Sequence, residues 1–291
     1  MSKHLITLLL SLMLAACSVT DGLLTADEAP TTTFQPSEAT LSVDGPFEVA
    51  AYSDLALNPA FRAATIYHPL ETPGRIGIVA IAPGLGERQR HINWWGPRLA
   101  SHGYAVLVMD TNTGQDDPEM RARALLAAID LLKQEGRREH SPLFGRVDEN
   151  KVALMGHSVG GGGALIAADS ERDSIQAVIP LTPWVPLERF ENITAPTLIV
   201  ASENDRIASI DQHAWLHYQS IPDSVPAVYI ELAEGDHFIA NTGSTDLPSL
   251  GRFVVAWLKL YLDRDEGYRE LLYGETLDTG ASRFSRYVYH P

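Results

Sequence analysis

The segment Lys151–Leu165, KVALMGHSVGGGGAL, limits the possible folds more than any other part of the chain. An apolar run, Val152–Met155, leads into Gly156-His157-Ser158-Val159-Gly160, and the glycine- and alanine-rich stretch that follows starts a helix. The pattern is a strand, a strained turn carrying a serine, and a helix. Side chains at Gly156 or Gly160 would collide across such a turn, and the serine itself must adopt unfavourable backbone angles. The helix start supplies free N–H groups and a positive dipole end beside the serine. G-x-S-x-G in a glycine-rich loop is by itself a weak signal. The strand before it and the helix after it make it a nucleophile elbow, with Ser158 as the candidate nucleophile.

The rest of the body alternates short apolar runs with helical patterns. Ala64–His68, Ile76–Ala82, Tyr104–Met109, Val152–Met155, Ala177–Leu181, Thr197–Ala201 and Ala227–Leu232 read as strands. His91–His102, Pro118–Gln134, Gly162–Ala168 and Ser249–Asp263 read as helices. Strands with continuous apolar runs, separated by helices, imply an α/β fold with a mostly parallel central sheet covered on both faces. No internal repeat or second compositional domain is visible, so residues 46–291 are expected to form one catalytic domain.

The N-terminus has a different character. Lys3 precedes an apolar run, Leu5–Leu14, too short to span a bilayer as a helix. Leu14-Ala15-Ala16-Cys17 then resembles the bacterial lipobox, and Cys17 is the chain's one cysteine. Residues 1–16 are therefore read as a lipoprotein signal peptide and Cys17 as the lipidated residue. Ser18 follows where an aspartate would resemble an inner-membrane retention signal, so an outer-membrane or cell-surface lipoprotein is expected, with ordinary secretion as the alternative. Acyl chains on Cys17 would give stable membrane association. Residues 17–45, rich in Thr, Ser, Ala, Asp and Pro, read as a flexible tether. With no cysteine in the body, neither a disulfide framework nor a cysteine metal site can form there. A formal net charge of −15 argues against nucleic acid as a partner.

Serine at neutral pH needs a base to remove its proton, and in this architecture an acid and then a histidine follow the nucleophile in chain order. Asp205 lies just beyond the run Thr197–Ala201, and His237 just beyond Ala227–Leu232. Both positions are at the carboxyl ends of strands, where α/β sites form. Glu203, Asn204, Asp211 and Asp236 are competitors for the acid role, and Asp205 is preferred on order and placement. His213 and His217 form an i, i+4 pair. Without the glutamate of H-E-x-x-H they are read as a solvated helix face, and no metal site is assigned. His157 is read as packing, and His290 lies in the tail. An oxyanion hole needs two aimed N–H donors. Val159, directly after the nucleophile, is one candidate. Leu85, in the Pro83-Gly84-Leu85-Gly86 loop after an early strand, is the other.

With these residues placed, the chain resembles the bacterial cutinases and polyester hydrolases, including PET-degrading enzymes, from about Gly45-Pro46-Phe47 into the 260s. The resemblance is carried by Ala82-Pro83-Gly84, Arg98-Leu99-Ala100-Ser101-His102-Gly103-Tyr104, Met109-Asp110-Thr111, the elbow with its four glycines, Leu181-Thr182-Pro183-Trp184, Asp205 and His237-Phe238. It implies an α/β-hydrolase fold without a lid domain, an open hydrophobic groove and cofactor-independent ester hydrolysis. Ser158, Asp205 and His237 fall on the family's triad. Trp184 falls on its groove aromatic, and Leu85 and Phe238 join Trp184 as expected substrate contacts. The family also binds divalent cations at surface carboxylates, for which no site is assigned here. Leu85 stands where an aromatic is usual, Val159 replaces a common methionine, and Val185 stands where histidine often follows the tryptophan. The C-terminal disulfide cysteines are absent, residues 274–291 have no evident family counterpart, and a lipobox is unusual in this family.

The reading is a serine carboxylesterase of cutinase type, acting as a monomer on apolar esters, with polyesters such as PET within the class that the resemblance implies. The alternatives are an esterase or lipase for small soluble or phospholipid-type esters, and a non-catalytic surface lipoprotein that keeps the fold as a binding module.

Overall fold

Parallel strands buried on both faces need apolar side chains at every position, and that is what Ile76–Ala82 supplies: all seven of its residues are buried. A computed structural model describes residues 36–186, 189–274 and 283–291. In chain order the described strands are β1 (Val49–Tyr52), β2 (Ala63–Pro69), β3 (Ile76–Ala82), β4 (Ala105–Asp110), β5 (Val147–His157), β6 (Ala177–Leu181), β7 (Thr197–Ser202), β8 (Ala227–Leu232) and β9 (Phe284–His290). The helices are α1 (Glu38–Leu41), α2 (Gln89–Ile92), α3 (Trp95–Ser101), α4 (Pro118–Arg137), α5 (Val159–Ser170), α6 (Ala214–Ser220), α7 (Leu247–Tyr261) and α8 (Glu270–Tyr273). The strands form one sheet in the order β1-β2-β4-β3-β5-β6-β7-β8-β9. Its centre, β4 to β8, is parallel, and antiparallel strands close both ends.

Alternate residues of each central strand face opposite layers. Ile78, Ala80, Leu107, Leu154 and Ile199 pack under Leu125, Ile129 and Leu132 of α4, Leu165 of α5 and Tyr218 of α6. Val79, Ile81, Val106, Met155, Val200 and Ile230 pack under Trp95 and Leu99 of α3 and Leu250, Phe253 and Trp257 of α7. Trp257 is fully buried. Its truncation to alanine would cost about 3–5 kcal/mol.

The observed architecture is the α/β-hydrolase arrangement expected, with four departures in detail. The helix expected over 91–102 is broken into α2 and α3 by a turn at Asn93, whose carbonyl accepts from Gly96 N–H at 3.1 Å. Strand β1 was not expected. Nor was β9, which pairs antiparallel with β8 and makes residues 284–290 the last strand of the sheet. The tether expected to run to residue 45 gives way earlier to ordered packing. Leu41 is buried, its carbonyl accepts from Arg98 Nη2, and Gly45 N–H donates to Ser101 Oγ at 2.8 Å. The segment is held by backbone and buried polar contacts to α3, which its Thr/Ser/Pro composition does not show. Residues 1–16 and Cys17, with the tether up to residue 35, lie outside the described residues.

Candidate active site

Strand β5 delivers Ser158 at its carboxyl end, where φ is 54° and ψ −120°. A residue with a Cβ reaches this region only under strain, so the surroundings must hold it there. They do so by close approach. A Cβ on Gly156 would run into the Gly160 carbonyl, and one on Gly160 into the carbonyls of Ala82 and Pro83. The loop after β7 carries Asp205, and the loop after β8 carries His237. All three side chains therefore meet beyond the carboxyl ends of β5, β7 and β8 in the parallel part of the sheet.

Their geometry is a continuous relay. His237 Nδ1–H donates to Asp205 Oδ2 at 2.7 Å, which leaves Nε2 to accept from Ser158 Oγ at 2.8 Å. The second carboxylate oxygen of Asp205 accepts from Ile207 and Ala208 N–H at 2.9 and 2.8 Å, which fixes the carboxylate's plane. The carbonyl of His237 accepts from Thr182 Oγ1 at 3.0 Å and from His157 Nε2 at 2.9 Å. Ser158, His237 and Asp205 are all largely shielded from solvent. Of the competing acids, Glu203 accepts instead from Glu234 N–H, and Asp236 from Phe238 N–H.

A cavity of about 240 Å³ opens on the serine, lined by Leu85, Val159, Trp184 and Ile207 and flanked by Gln115–Pro118. Leu85, Ile207 and Phe238 are exposed apolar side chains at its edge or beside it. Val159 opens α5, so its N–H has no partner within the helix. Leu85 N–H donates to none of the described residues. Both are candidates to receive an oxyanion formed at Ser158.

The PET hydrolase-like family model matches residues 25–288. The chain belongs to the PET hydrolase-like family. It is a carboxylic-ester hydrolase of cutinase type. Among its relatives, a bis(hydroxyethyl) terephthalate hydrolase of Streptomyces coelicolor is 42% identical over 241 residues, covering 81% of this chain and 74% of that protein. Cutinase est1 of Thermobifida alba is 40% identical over 239 residues, covering 81% and 78%. Cutinase cut1 of Thermobifida fusca is 39% identical over 241 residues, covering 81% and 72%. The family match extends through most of the C-terminal tail, including the greater part of β9, so that tail does have a family counterpart.

Other site residues were not legible in the sequence, and two were misjudged. His213 and His217 are buried rather than on a solvated face. His213 Nδ1–H donates to the Val185 carbonyl at 2.9 Å, and its ring lies 5.7 Å from that of Trp184 at 32°. His217 stands behind it, 6.0 Å away, edge-on to Phe190 at 5.3 Å. This stack backs Trp184, which lines the cavity at Ser158. Burial pushes His213 below the usual histidine range and His217 down to about 3, the latter aided by its neighbour His213, so both rings are neutral at pH 7. Glu87, which follows the Pro83–Gly86 loop, is also buried and joined to His157. A histidine beside a buried nucleophile must find polar partners for its two ring nitrogens, and that requirement is the signal that points to Glu87.

Proposed function

We propose that Ser158, His237 and Asp205 are the catalytic triad of this esterase, and that apolar polyesters and their aromatic diester fragments are its substrate class. The relay from Ser158 Oγ through His237 to Asp205, opening on an apolar cavity, is the observation that carries this reading. His237 Nε2 takes the Ser158 proton as Oγ attacks the ester carbonyl carbon. The carbonyl oxygen becomes an oxyanion that accepts from the N–H groups of Leu85 and Val159. The imidazolium, stabilised by Asp205, then protonates the departing alkoxide, which leaves an acyl-serine. Water enters, gives its proton to His237 and releases the acid, regenerating Ser158.

Leu85, Trp184 and Phe238 are proposed as substrate contacts. The terephthalate diester named in one relative and the cutin polyester implied by the others support a long, open apolar substrate. Small esters remain within reach of so open a site, whereas a binding module would have no need of the relay. The chain is further proposed to be exported and lipidated at Cys17, with the hydrolase body acting as a monomer on a membrane tether; residues 1–17 support this. A fluorophosphonate probe tests the mechanism: one probe per chain on Ser158 is expected, and labelling elsewhere or none would refute it. Rates on a polyester film, an aromatic diester and a butyrate ester then rank the substrates. A preference for the butyrate ester with no release from the film would favour the small-ester reading.

A further inference from the structure

Beneath the oxyanion loop lies a set of buried polar contacts that the triad mechanism does not use. Glu87 Oε2 accepts from Gly84 N–H at 2.6 Å and from His157 Nδ1–H at 2.8 Å. Glu87 Oε1 accepts from Asn241 Nδ2 at 2.5 Å. On the far side of its ring, His157 Nε2 faces the His237 carbonyl oxygen at 2.9 Å. His157 Nε2 therefore points at a carbonyl oxygen, which can only accept, and Nδ1 at a Glu87 oxygen, which accepts in the ionised carboxylate. A neutral imidazole has one N–H and one bare lone pair, and here the lone pair would face an oxygen. A ring carrying both protons satisfies both contacts.

We propose that His157 and Glu87 form a permanent buried ion pair that positions the oxyanion loop and the catalytic histidine as one unit. This rests on the triad reading above. The carboxylate ties the loop of Gly84 and Leu85 to the elbow. The imidazolium ties the elbow to the backbone of His237, and Asn241 returns that segment to the carboxylate. With its N–H bound to Glu87, Gly84 is held beside Leu85, whose own N–H stays free. Burial raises the Glu87 carboxyl, but His157, Asn241 and the Gly84 N–H outweigh it and hold it at about 2. The fit is tight: a Cβ on Gly84 would come within 2.8 Å of Glu87 Oε2 and 2.9 Å of His157 Nδ1. A buried pair of this kind is costly to break from one side, because the remaining charge is left without a partner.

The charged groups around the pair are few. Glu87 faces His157 on one side, and His237 lies on the other with its ring 5.0 Å from that of His157. Arg121 of α4 holds the Pro83 carbonyl at 2.6 Å and stands near Glu87 and Asp116. Beyond His237, Asp205 accepts from its ring Nδ1–H at 2.7 Å, and His213 lies within electrostatic reach of both. His157→Gln leaves Glu87 negative with no cation between it and His237, favours the protonated catalytic base, and should move the acid limb of the kcat/KM profile to higher pH. The double variant His157→Gln/Glu87→Gln removes both charges and should return the limb to its wild-type position.

Two measurements test the proposal in the full chain. In ¹⁵N-histidine-labelled protein, the His157 signals, assigned by their loss in His157→Gln, should show both ring nitrogens protonated under the conditions of the activity assay. An unprotonated nitrogen on His157 would overturn the proposal, even if His157→Gln fails to fold and the assignment is made by another route. In kinetics, each of His157→Gln and Glu87→Gln should lower kcat by between about ten- and a hundredfold, the range expected from small misplacement of reacting groups. The double variant should be no worse than the poorer single one. Additive losses with an unmoved acid limb would reduce the pair to ordinary packing. Fluorophosphonate labelling of Ser158 in the wild type is independent of all these outcomes, so a failure of the triad reading would show separately.

Discussion

Replacing His217 by phenylalanine should stabilise the protein, and more so in acid. His217 is fully buried, and neither ring nitrogen makes a hydrogen bond. The Val185 carbonyl is the polar group beside it and is already engaged by His213. A buried donor or acceptor left unmatched costs about 1–3 kcal/mol. Phenylalanine removes that cost while keeping a ring for the edge contacts with Phe190 and His213. For a domain of this size each kcal/mol is worth about 2–4 °C in Tm. The pH dependence follows from burial, which lowers the folded-state pKa from 6.5 to about 3. As pH falls through 6.5 the unfolded chain takes up a proton that the folded chain refuses until near pH 3. Wild-type stability is therefore complete above pH 6.5 and is lost below it, by about 1.4 kcal/mol per pH unit. By pH 5 this single residue costs about 2 kcal/mol on the same slope. Thermal unfolding of both proteins at pH 8 and pH 5 measures the effect. A phenylalanine variant no more stable at pH 8, or a Tm gap that does not widen toward pH 5, would refute the reasoning. Butyrate ester rates should stay within a few-fold of wild type, because Trp184 keeps its backing.

Ser158→Ala and His237→Ala should each lower kcat by on the order of 10⁶ without loss of folding, since triad members act as a unit; a tenth of wild-type activity in either, with native circular dichroism, would sink the mechanism. Leu85→Phe or Leu85→Tyr keeps the backbone N–H but adds a ring at the cavity mouth, a gain of about 0.5–1.5 kcal/mol on an aromatic acyl group. That is about a two- to twelvefold rise in kcat/KM for an aromatic diester with little change for a butyrate ester, and equal effects on both would remove Leu85 from the acyl subsite. Cys17→Ser should abolish palmitate incorporation and stable membrane association; wild-type protein that never takes up labelled palmitate would return the N-terminus to ordinary secretion.

The central sheet and the relay were legible in the sequence for a shared reason. A strand buried on both faces must be apolar at every position, so Ile76–Ala82, Ala177–Leu181 and Ala227–Leu232 stand out with their ends already correct. Once those ends are placed, the loops beyond them are the places where a triad can be assembled, and few residues there have the right chemistry. Strand β9 offers no such contrast. Five of its seven residues are partly buried and two exposed, none fully buried, and its partner β8 lies more than 50 positions earlier in the chain. The unbroken helix expected over 91–102 has a local explanation: a 3.6-residue apolar spacing survives the turn at Asn93, so periodicity does not reveal the break.

The misjudged polar residues share a different cause. Residue type predicts exposure only when nothing else covers the position, and coverage is decided by elements distant in sequence. His213 and His217 read as solvated because what buries them, Trp184, Val185 and Phe190, belongs to the loop after β6. Glu87 drew no reading from the sequence, since its partners Gly84, His157 and Asn241 lie 3, 70 and 154 residues away. Long-range polar pairing leaves no periodic trace, because one residue on each side is enough to make it. What such a pair does leave is an obligation: every buried donor and acceptor must be met. His157 was certain to be buried once the elbow was recognised. Two ring nitrogens with no solvent to bond therefore needed two polar partners, and Glu87, just after the Pro83–Gly86 loop, supplies one of them.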